Sequence, residues 1–380
     1  MEYFYRWLIV LITFPIAEVA VSQTFEELDP THVIHHETMQ EVYDEVKTPY
    51  PYGLIMIHED TSNMIDCPTV FRKDSTWYMT YLVFNGKGYE TWLAKSSDLL
   101  KWDKLGKVLP FTSKNRWDGN QAAGYPALID TKWGGSYEIQ KYLNHYWMSY
   151  FGGNTDGYER GTLSIGMAFT KKDVTTPHPW MRAKNPVMTT KDPDIGYWET
   201  KKLYKSSIIW DTTLQTGKPF VMFYNGVGDT SSKKSWVERI GIALSDDMIN
   251  WYRYPGNPII DHGTGLSGDA VVQRWRDSLY IMFYYGAFWP EGREDAFNRF
   301  AVSKDLIHWT PWEGDDLIKP SQPYDIKYAH KPCVIKWNGV VYHFYCAVNE
   351  LEQRGLAVST SLDLGKSDLH FQKVTTKLKR

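Results

Sequence analysis

A fivefold internal repeat limits what this chain can fold into more than any other feature of its sequence. A short aromatic strand recurs as TWYMTYLVFNG (76–86), HYWMSYFGG (145–153), PFVMFYNGVG (219–228), LYIMFYYGAF (279–288) and VYHFYCAV (341–348). An extended segment precedes each copy: IDCPTVFR (65–72), GYPALID (124–130), YKSSIIW (204–210), SGDAVVQR (267–274) and AHKPCVIK (329–336). An Ala/Ser-rich strand, a turn and a tryptophan follow in LAKSSDLLKW (93–102), IALSDDMINW (242–251) and FAVSKDLIHW (300–309). Looser copies are MAFTKKDVTTPHPW (167–180) and LAVSTSLDLGKSDLHF (356–371). Self-similarity with a period of tens of residues marks a repeat architecture. Units of four short strands are propeller blades. The expectation is an all-β, five-bladed β-propeller with an N-terminal extension.

The 380 residues divide into a signal peptide (1–22), an extension (23–60) and the propeller (61–380). Blades are expected over 62–117, 118–197, 198–260, 261–320 and 321–380. The leader reading rests on WLIVLITFPIAEVAVS after Arg6, ending in the small-x-small pattern Ala20-Val21-Ser22. Pro15, Glu18 and the short length argue against a membrane span. The mature protein is therefore expected to be periplasmic or secreted, with no membrane span. The extension is polar, shows no long amphipathic helix, and is read as wrapping the propeller or reaching a second copy in a homodimer. A net charge of −3 and the absence of a long basic run give no footprint for nucleic acid. Three cysteines, Cys67, Cys333 and Cys346, allow at most one disulfide; Cys67 and Cys333 read as small buried hydrophobes.

Strand geometry selects the working face. If the first strand of each blade lines the axis, its start and the loop between strands two and three share one end. Those loops are long and unlike: NGKGYE (85–90), GGNTDGYERG (152–161), NGVGDTSSKKSWVER (225–239) and GAFWPEGREDAFNR (286–299). The S-x-D turns at the other end are short and alike, and read as side-chain-capped turns with a packed tryptophan. Variable polar loops on a uniform scaffold suggest a binding site.

The five strand starts bring together Asp66, Tyr125, Lys205, Asp269 and His330. Carboxylates and a histidine facing a narrow channel are costly unless paired or used. Glycoside hydrolysis uses a carboxylate to activate water and an acid to protonate the departing oxygen. The 17 Trp, 26 Tyr and 16 Phe fill strands and blade contacts, and also suit stacking on sugar faces.

The stretch IDCPTVFRKDSTWYMTY and the S-x-D-L-x-x-W turns resemble the five-bladed glycosidase superfamily that includes glycoside hydrolase families 43, 32, 62 and 117. The resemblance covers most of residues 60–370. It implies that Asp66 is the general base, although Cys67 stands between it and Pro68, one residue more than the family 43 pattern. No glutamate stands where family 43 keeps its acid; Glu199 and Glu238 are the nearest. Asp66, Asp269 and His330 are similar in order to the two aspartates and histidine of family 117, which acts on neoagaro-oligosaccharides. The resemblance then implies His330 as acid and Asp269 as its partner or a sugar-hydroxyl acceptor, with Glu238 beside Arg239 as the alternative acid. Tyr125, Lys205, Lys331 and Trp289 are expected to bind sugar. No cofactor is required; a divalent cation in the central channel, held in part by His330, is compatible with the superfamily.

The expected function is an exported, exo-acting, inverting glycoside hydrolase that releases a terminal sugar from plant or algal oligosaccharides. Two alternatives stand beside it. One is a phosphorylase on the same fold, with Lys205, Lys331, Arg239 and Arg299 as candidate phosphate ligands. The other is a non-catalytic carbohydrate-binding propeller.

Overall fold

The computed structural model describes residues 32–372 except 229–236, 264, 277, 289–291 and 294. The signal-peptide reading of 1–22 and the residue Trp289 lie outside the described residues. A helix, α1 (His36–Val46), comes first, followed by β1 (Tyr50–Met56). Among the described residues, β1 and the strands after it form five antiparallel units of four, with one short 3-10 helix (Tyr197–Glu199) outside them. The first is β2 (Met64–Lys73), β3 (Thr76–Phe84), β4 (Tyr89–Ser96) and β5 (Asp103–Leu109). The second is β6 (Gln121–Pro126), β7 (Tyr146–Gly153), β8 (Ser164–Thr170) and β9 (Met181–Arg182). The third is β10 (Lys202–Trp210), β11 (Phe220–Val227), β12 (Glu238–Ser245) and β13 (Tyr252–Arg253). The fourth is β14 (Leu266–Arg276), β15 (Leu279–Ala287), β16 (Phe297–Ser303) and β17 (Trp309–Pro311). A single parallel pair, Glu238 with Leu266, joins the third to the fourth.

The last unit corrects two expectations. Its inner strands are β18 (Tyr328–Trp337), β19 (Val340–Val348) and β20 (Arg354–Thr360). Its fourth strand is β1, which pairs with β20 from Tyr50↔Thr360 to Met56↔Leu356. Residues 50–56 are thus part of the sheet system and not a loose extension, and the C-terminal stretch LDLGKSDLHF supplies no strand. The extension also holds α1, which the polar composition concealed. Met39, Val42 and Val46 are buried and share one helix face. They pack against Ile281, Phe283, Phe300, Val334 and Val341 of the fourth and last units.

Apolar clusters lie between neighbouring units. Ile129, Tyr146 and Met148 meet Phe71, Leu93 and Leu109. Trp147 and Met167 meet Ile208 and Met222, and Phe223 and Ile242 meet Val272 and Met282. Cys333, Phe344 and Val358 meet Val70, Trp77 and Met79. Each unit buries its faces against the next, and the last packs on the first.

Turn chemistry fixes strand ends. Asn338 and Gly339 both have positive φ, 50° and 81°. That is the conformation a two-residue hairpin turn needs. In the S-x-D turns, the Ser96 hydroxyl accepts the Leu99 N–H at 2.9 Å, and Asp98 Oδ1 accepts the Leu100 and Lys101 N–H groups. Trp102 Nε1 donates back to the Leu99 carbonyl at 3.1 Å. Trp251 and Trp309 make the same bond to the Met248 and Leu306 carbonyls. The three cysteines are buried and free.

Without residues 32–56, β20 becomes an unpaired, apolar edge, which favours aggregation. A chain beginning at residue 57 should elute as aggregate in size-exclusion chromatography, whereas one beginning at residue 32 should remain a defined species. Equal behaviour of the two would contradict a role for β1 in completing the last sheet.

Candidate active site

The innermost strands carry a shared irregularity. In β2 the pairing with β3 skips from Asp66↔Leu82 to Thr69↔Thr80. In β14 it skips from Gly268 to Val271, in β18 from His330 to Cys333, and in β10 from Leu203 to Ser206. Two residues opposite one form a bulge, which bends the strand and re-aims a side chain. Cys67, Asp269 and Lys331 hold equivalent places in three of these bulges, with φ of 47°, 60° and 60°. Such conformations are uncommon outside glycine and cluster at functional sites. With Tyr125 and Lys205 from the other two units, these side chains line one cavity of about 370 Å³.

The starts of the third strands supply more of the wall. Tyr89, Glu238 and Ala296 each stand seven residues before the turn serine of their unit, Ser96, Ser245 and Ser303, and all three line the cavity. Arg354 reaches in from the start of β20, and Tyr158 and Glu159 from the loop after β7.

The charges fall into two groups. Around Asp66, Oδ2 accepts hydrogen bonds from Lys331 Nζ (2.8 Å), Tyr89 Oη (2.9 Å) and Arg354 Nη1 (3.2 Å). Its Oδ1 accepts the Cys67 N–H at 3.0 Å. Burial alone would push this carboxyl up, but the Lys331 and Arg354 charges hold it well below the usual carboxylate range. Asp66 has no exposed surface and is not among the cavity-lining residues. The extra residue Cys67 takes the cavity-facing position instead.

The second group centres on Asn225. Its Nδ2 donates to Glu238 Oε1 at 2.7 Å and to Asp269 Oδ1 at 2.9 Å, while its Oδ1 accepts the Asp269 N–H at 2.9 Å. Asp269 Oδ2 lies 3.6 Å from Lys205 Nζ and 3.7 Å from the Cys67 thiol, which donates to it. Burial pushes Glu238 well above an ordinary carboxyl, and the charges of Asp269 and Glu159 add to the rise. Tyr285 Oη donates to its Oε2 at 3.4 Å. Burial also raises Glu159. Among the described residues, no hydrogen bond to its side chain is formed; its backbone carbonyl accepts Lys202 Nζ at 2.7 Å.

Of the residues expected from the sequence, Tyr125, Lys205, Glu238, Asp269, His330 and Lys331 converge on the cavity. His330 is pushed down to about 3, first by burial and then by the Lys331 charge. It is therefore neutral near pH 7, with Nδ1 3.3 Å from the Cys346 carbonyl. Arg239 does not line the cavity. Successive strand residues face opposite sides, so Glu238 points in, while Arg239 pairs with Asp261 at 2.7 Å beneath Tyr197. Glu159, Asn225, Tyr89, Tyr158, Lys202 and Arg354 were not singled out from the sequence. The common register of Tyr89 and Glu238 is the signal that could have found the third-strand wall.

Comparisons with known proteins bear on this site. No family model matches the chain, and no curated protein does. Among solved structures, one described as a glycoside hydrolase is 48% identical, covering 90% of this chain and 99% of that one, with a TM-score of 0.87. A structure described as a BT0996 RGII complex matches with the same figures. A family 117 glycoside hydrolase, Zg3597 from Zobellia galactanivorans, shares the fold at 15% identity and a TM-score of 0.58, over 85% of this chain and 93% of that one. The fold and the carboxylate-lined cavity thus define a β-propeller glycoside hydrolase. The chain belongs to that superfamily and is a glycosidase, similar over nearly its whole length to the 48% identical glycoside hydrolase.

Replacing Asp66 by Asn would leave Lys331 and Arg354 buried without their counter-charge. Breaking a buried ion pair from one side costs about 3–5 kcal/mol. Asp66→Asn should lower stability by that order near pH 7 in urea unfolding. Because the folded-state carboxyl is lowered, its contribution is full above an unfolded value of about 3.9. It declines as pH falls below that toward the folded value. The stability gap between wild type and D66N should therefore narrow below about pH 4. A gap that is absent at pH 7, or unchanged at pH 3, would refute this account.

Proposed function

We propose that this glycosidase uses Glu238 as general acid and Glu159 as the carboxylate that activates water, in the cavity of a closed five-bladed propeller. The observation that carries the reading is the elevation of Glu238 by burial and by its two acidic neighbours. A general acid must hold its proton at working pH, and Asp269, bridged to it through Asn225, supplies fixed negative charge for that purpose. A base must be ionised and available to a water. Asp66 is engaged by three donors on one oxygen, and Asp269 by Asn225 and Lys205. Glu159 is the remaining acid on the cavity wall. A neutral His330 is a poor proton donor and serves better as a hydrogen-bonding wall beside Tyr285 and Tyr328. Proton transfer between the two glutamates and water needs no cofactor.

A cavity of about 370 Å³ lies at the small end of the usual ligand range of ~300–1,000 Å³. That supports exo action on one terminal sugar. Inversion follows the superfamily resemblance. The close likeness to the BT0996 RGII complex supports an RGII-type oligosaccharide, of plant origin, as substrate. Among the described residues, no helix is long and apolar enough to cross a membrane. The leader-like residues 7–22 support export to the periplasm or beyond.

Glu238→Gln should lower kcat on an oligosaccharide by roughly 10²–10⁴-fold. It should lower it far less on an aryl glycoside whose leaving group needs no proton. Glu159→Gln should impair both substrates. Wild-type activity should fall at high pH as Glu238 loses its proton, and that alkaline limb should flatten in E238Q. Equal losses on both substrates in E238Q, with the limb intact, would remove Glu238 as the acid. Turnover in phosphate-free buffer excludes the phosphorylase reading, and absolute dependence on phosphate would establish it.

A further inference from the structure

Far from the cavity, three side chains that ligate metals meet at one point. His32 Nδ1 lies 3.0 Å from Asp305 Oδ2, and His308 Nδ1 lies 2.7 Å from the same oxygen. The two imidazole rings are 4.3 Å apart. Their ligand atoms all fall within 4.8 Å of one another, and no other such group of three occurs among the described residues. β16 separates this point from the active site. Ala296, at its start, lines the cavity, while Asp305 follows its end; seven strand residues at ~3.3 Å each span about 23 Å.

The turn holds the carboxylate in advance. Asp305 Oδ1 accepts the Ile307 and His308 N–H groups at 2.9 and 2.8 Å and the Ser303 hydroxyl at 3.1 Å. Oδ2 is left facing the imidazoles. The sister turns hold Asp98 and Asp247 in the same way, but the residue three positions on is Lys101 or Asn250, where this turn has His308. Asn250 satisfies its own aspartate through Nδ2 at 2.7 Å. Only the fourth unit's turn combines a histidine in that place with a second one delivered by the N-terminal segment. The segment is anchored beside it by Ile34 N–H, which donates to Thr310 Oγ1 at 3.1 Å.

We propose that His32, Asp305 and His308 form a binding site for a borderline divalent cation such as Zn²⁺, clamping the N-terminal segment to the fourth unit. Two imidazoles and one carboxylate are a ligand set that zinc takes, with a fourth position left for water. Zn–N and Zn–O distances of about 2.0–2.1 Å put tetrahedral ligand atoms roughly 3.3 Å apart. The separations here need to open by only a few tenths of an ångström on the oxygen side. The bonds from the turn to Oδ1 are the outer contacts that orient a metal-bound carboxylate. Binding through Nδ1 would take the two imidazoles off the Asp305 carboxylate and leave each neutral ring with its proton on Nε2.

The test uses the protein from residue 23 onward, freed of any purification tag. Zn²⁺ titration calorimetry and metal analysis after dialysis should give one equivalent in wild type and in the H35A/H36A control. H32A and H308A should bind at least tenfold more weakly. At zinc about 100-fold above its Kd, wild-type Tm should rise by about 3 °C, and that of H308A should not. A wild-type Co²⁺ complex should show an intense tetrahedral visible spectrum, a readout that does not depend on any variant folding. Substoichiometric zinc in wild type, undiminished affinity in H32A and H308A, or a weak octahedral cobalt spectrum would each overturn the proposal.

Discussion

Charge buried near the centre of this molecule has to be compensated there, and most of the site's geometry follows from that constraint. Moving an ion out of water costs several kcal/mol even after relaxation. The innermost strands nevertheless carry Asp66, Lys205, Asp269 and Lys331, all less than a tenth exposed. Each is met by an opposite charge or a directed amide: Lys331 and Arg354 on Asp66, Lys205 and Asn225 on Asp269. Where compensation is incomplete, the proton balance shifts. Glu238 keeps its proton to higher pH, and His330 gives its proton up. A raised carboxyl and a lowered imidazole are what a low-dielectric cavity with this set of charges must produce. The same imbalance is a usable chemical property, because perturbed groups gather where catalysis is done.

Bulges make this arrangement reachable from a regular sheet. In an unbroken strand the side-chain period of two would send alternate residues away from the axis. The bulges in β2, β10, β14 and β18 let neighbours such as His330 and Lys331 both reach the cavity wall. In β2 the same device turns Cys67 inward and leaves Asp66 behind it as the anchor for two cations.

The fold was legible because its signal is repeated. Five aromatic strands, three like turns and the Asn338-Gly339 hairpin each point to the same unit. The site was legible in part. Strand starts could be aligned, so Tyr125, Lys205, Asp269, His330 and Lys331 were placed together. The sequence did not show that Asp66 lies behind Cys67, because one residue in a bulge changes which side chain faces inward and a pattern of residue types does not reveal it. Glu159 stands in a loop whose length differs from unit to unit, with no counterpart to align, and Asn225 lies within a repeated aromatic strand that reads as packing. Arg354 stands at the start of a third strand after the polar residues Glu350, Glu352 and Gln353, with nothing in the sequence to set it apart from them. The helix α1 hid in a polar segment because three apolar residues on one face are enough to dock 11 residues.

The pairing of β1 with β20 also bears on the order of events during synthesis. Tyr50 meets Thr360, which is made 310 residues later. Contacts this distant in sequence form slowly, because a long loop must close first. The inner units can assemble while the ribosome is still at work, since their strands are consecutive. The last sheet cannot, and its first strand must wait for its partner until residues 354–360 have emerged. If the chain is threaded across a membrane, that strand travels ahead of its complement, and the last sheet can be completed only on the far side.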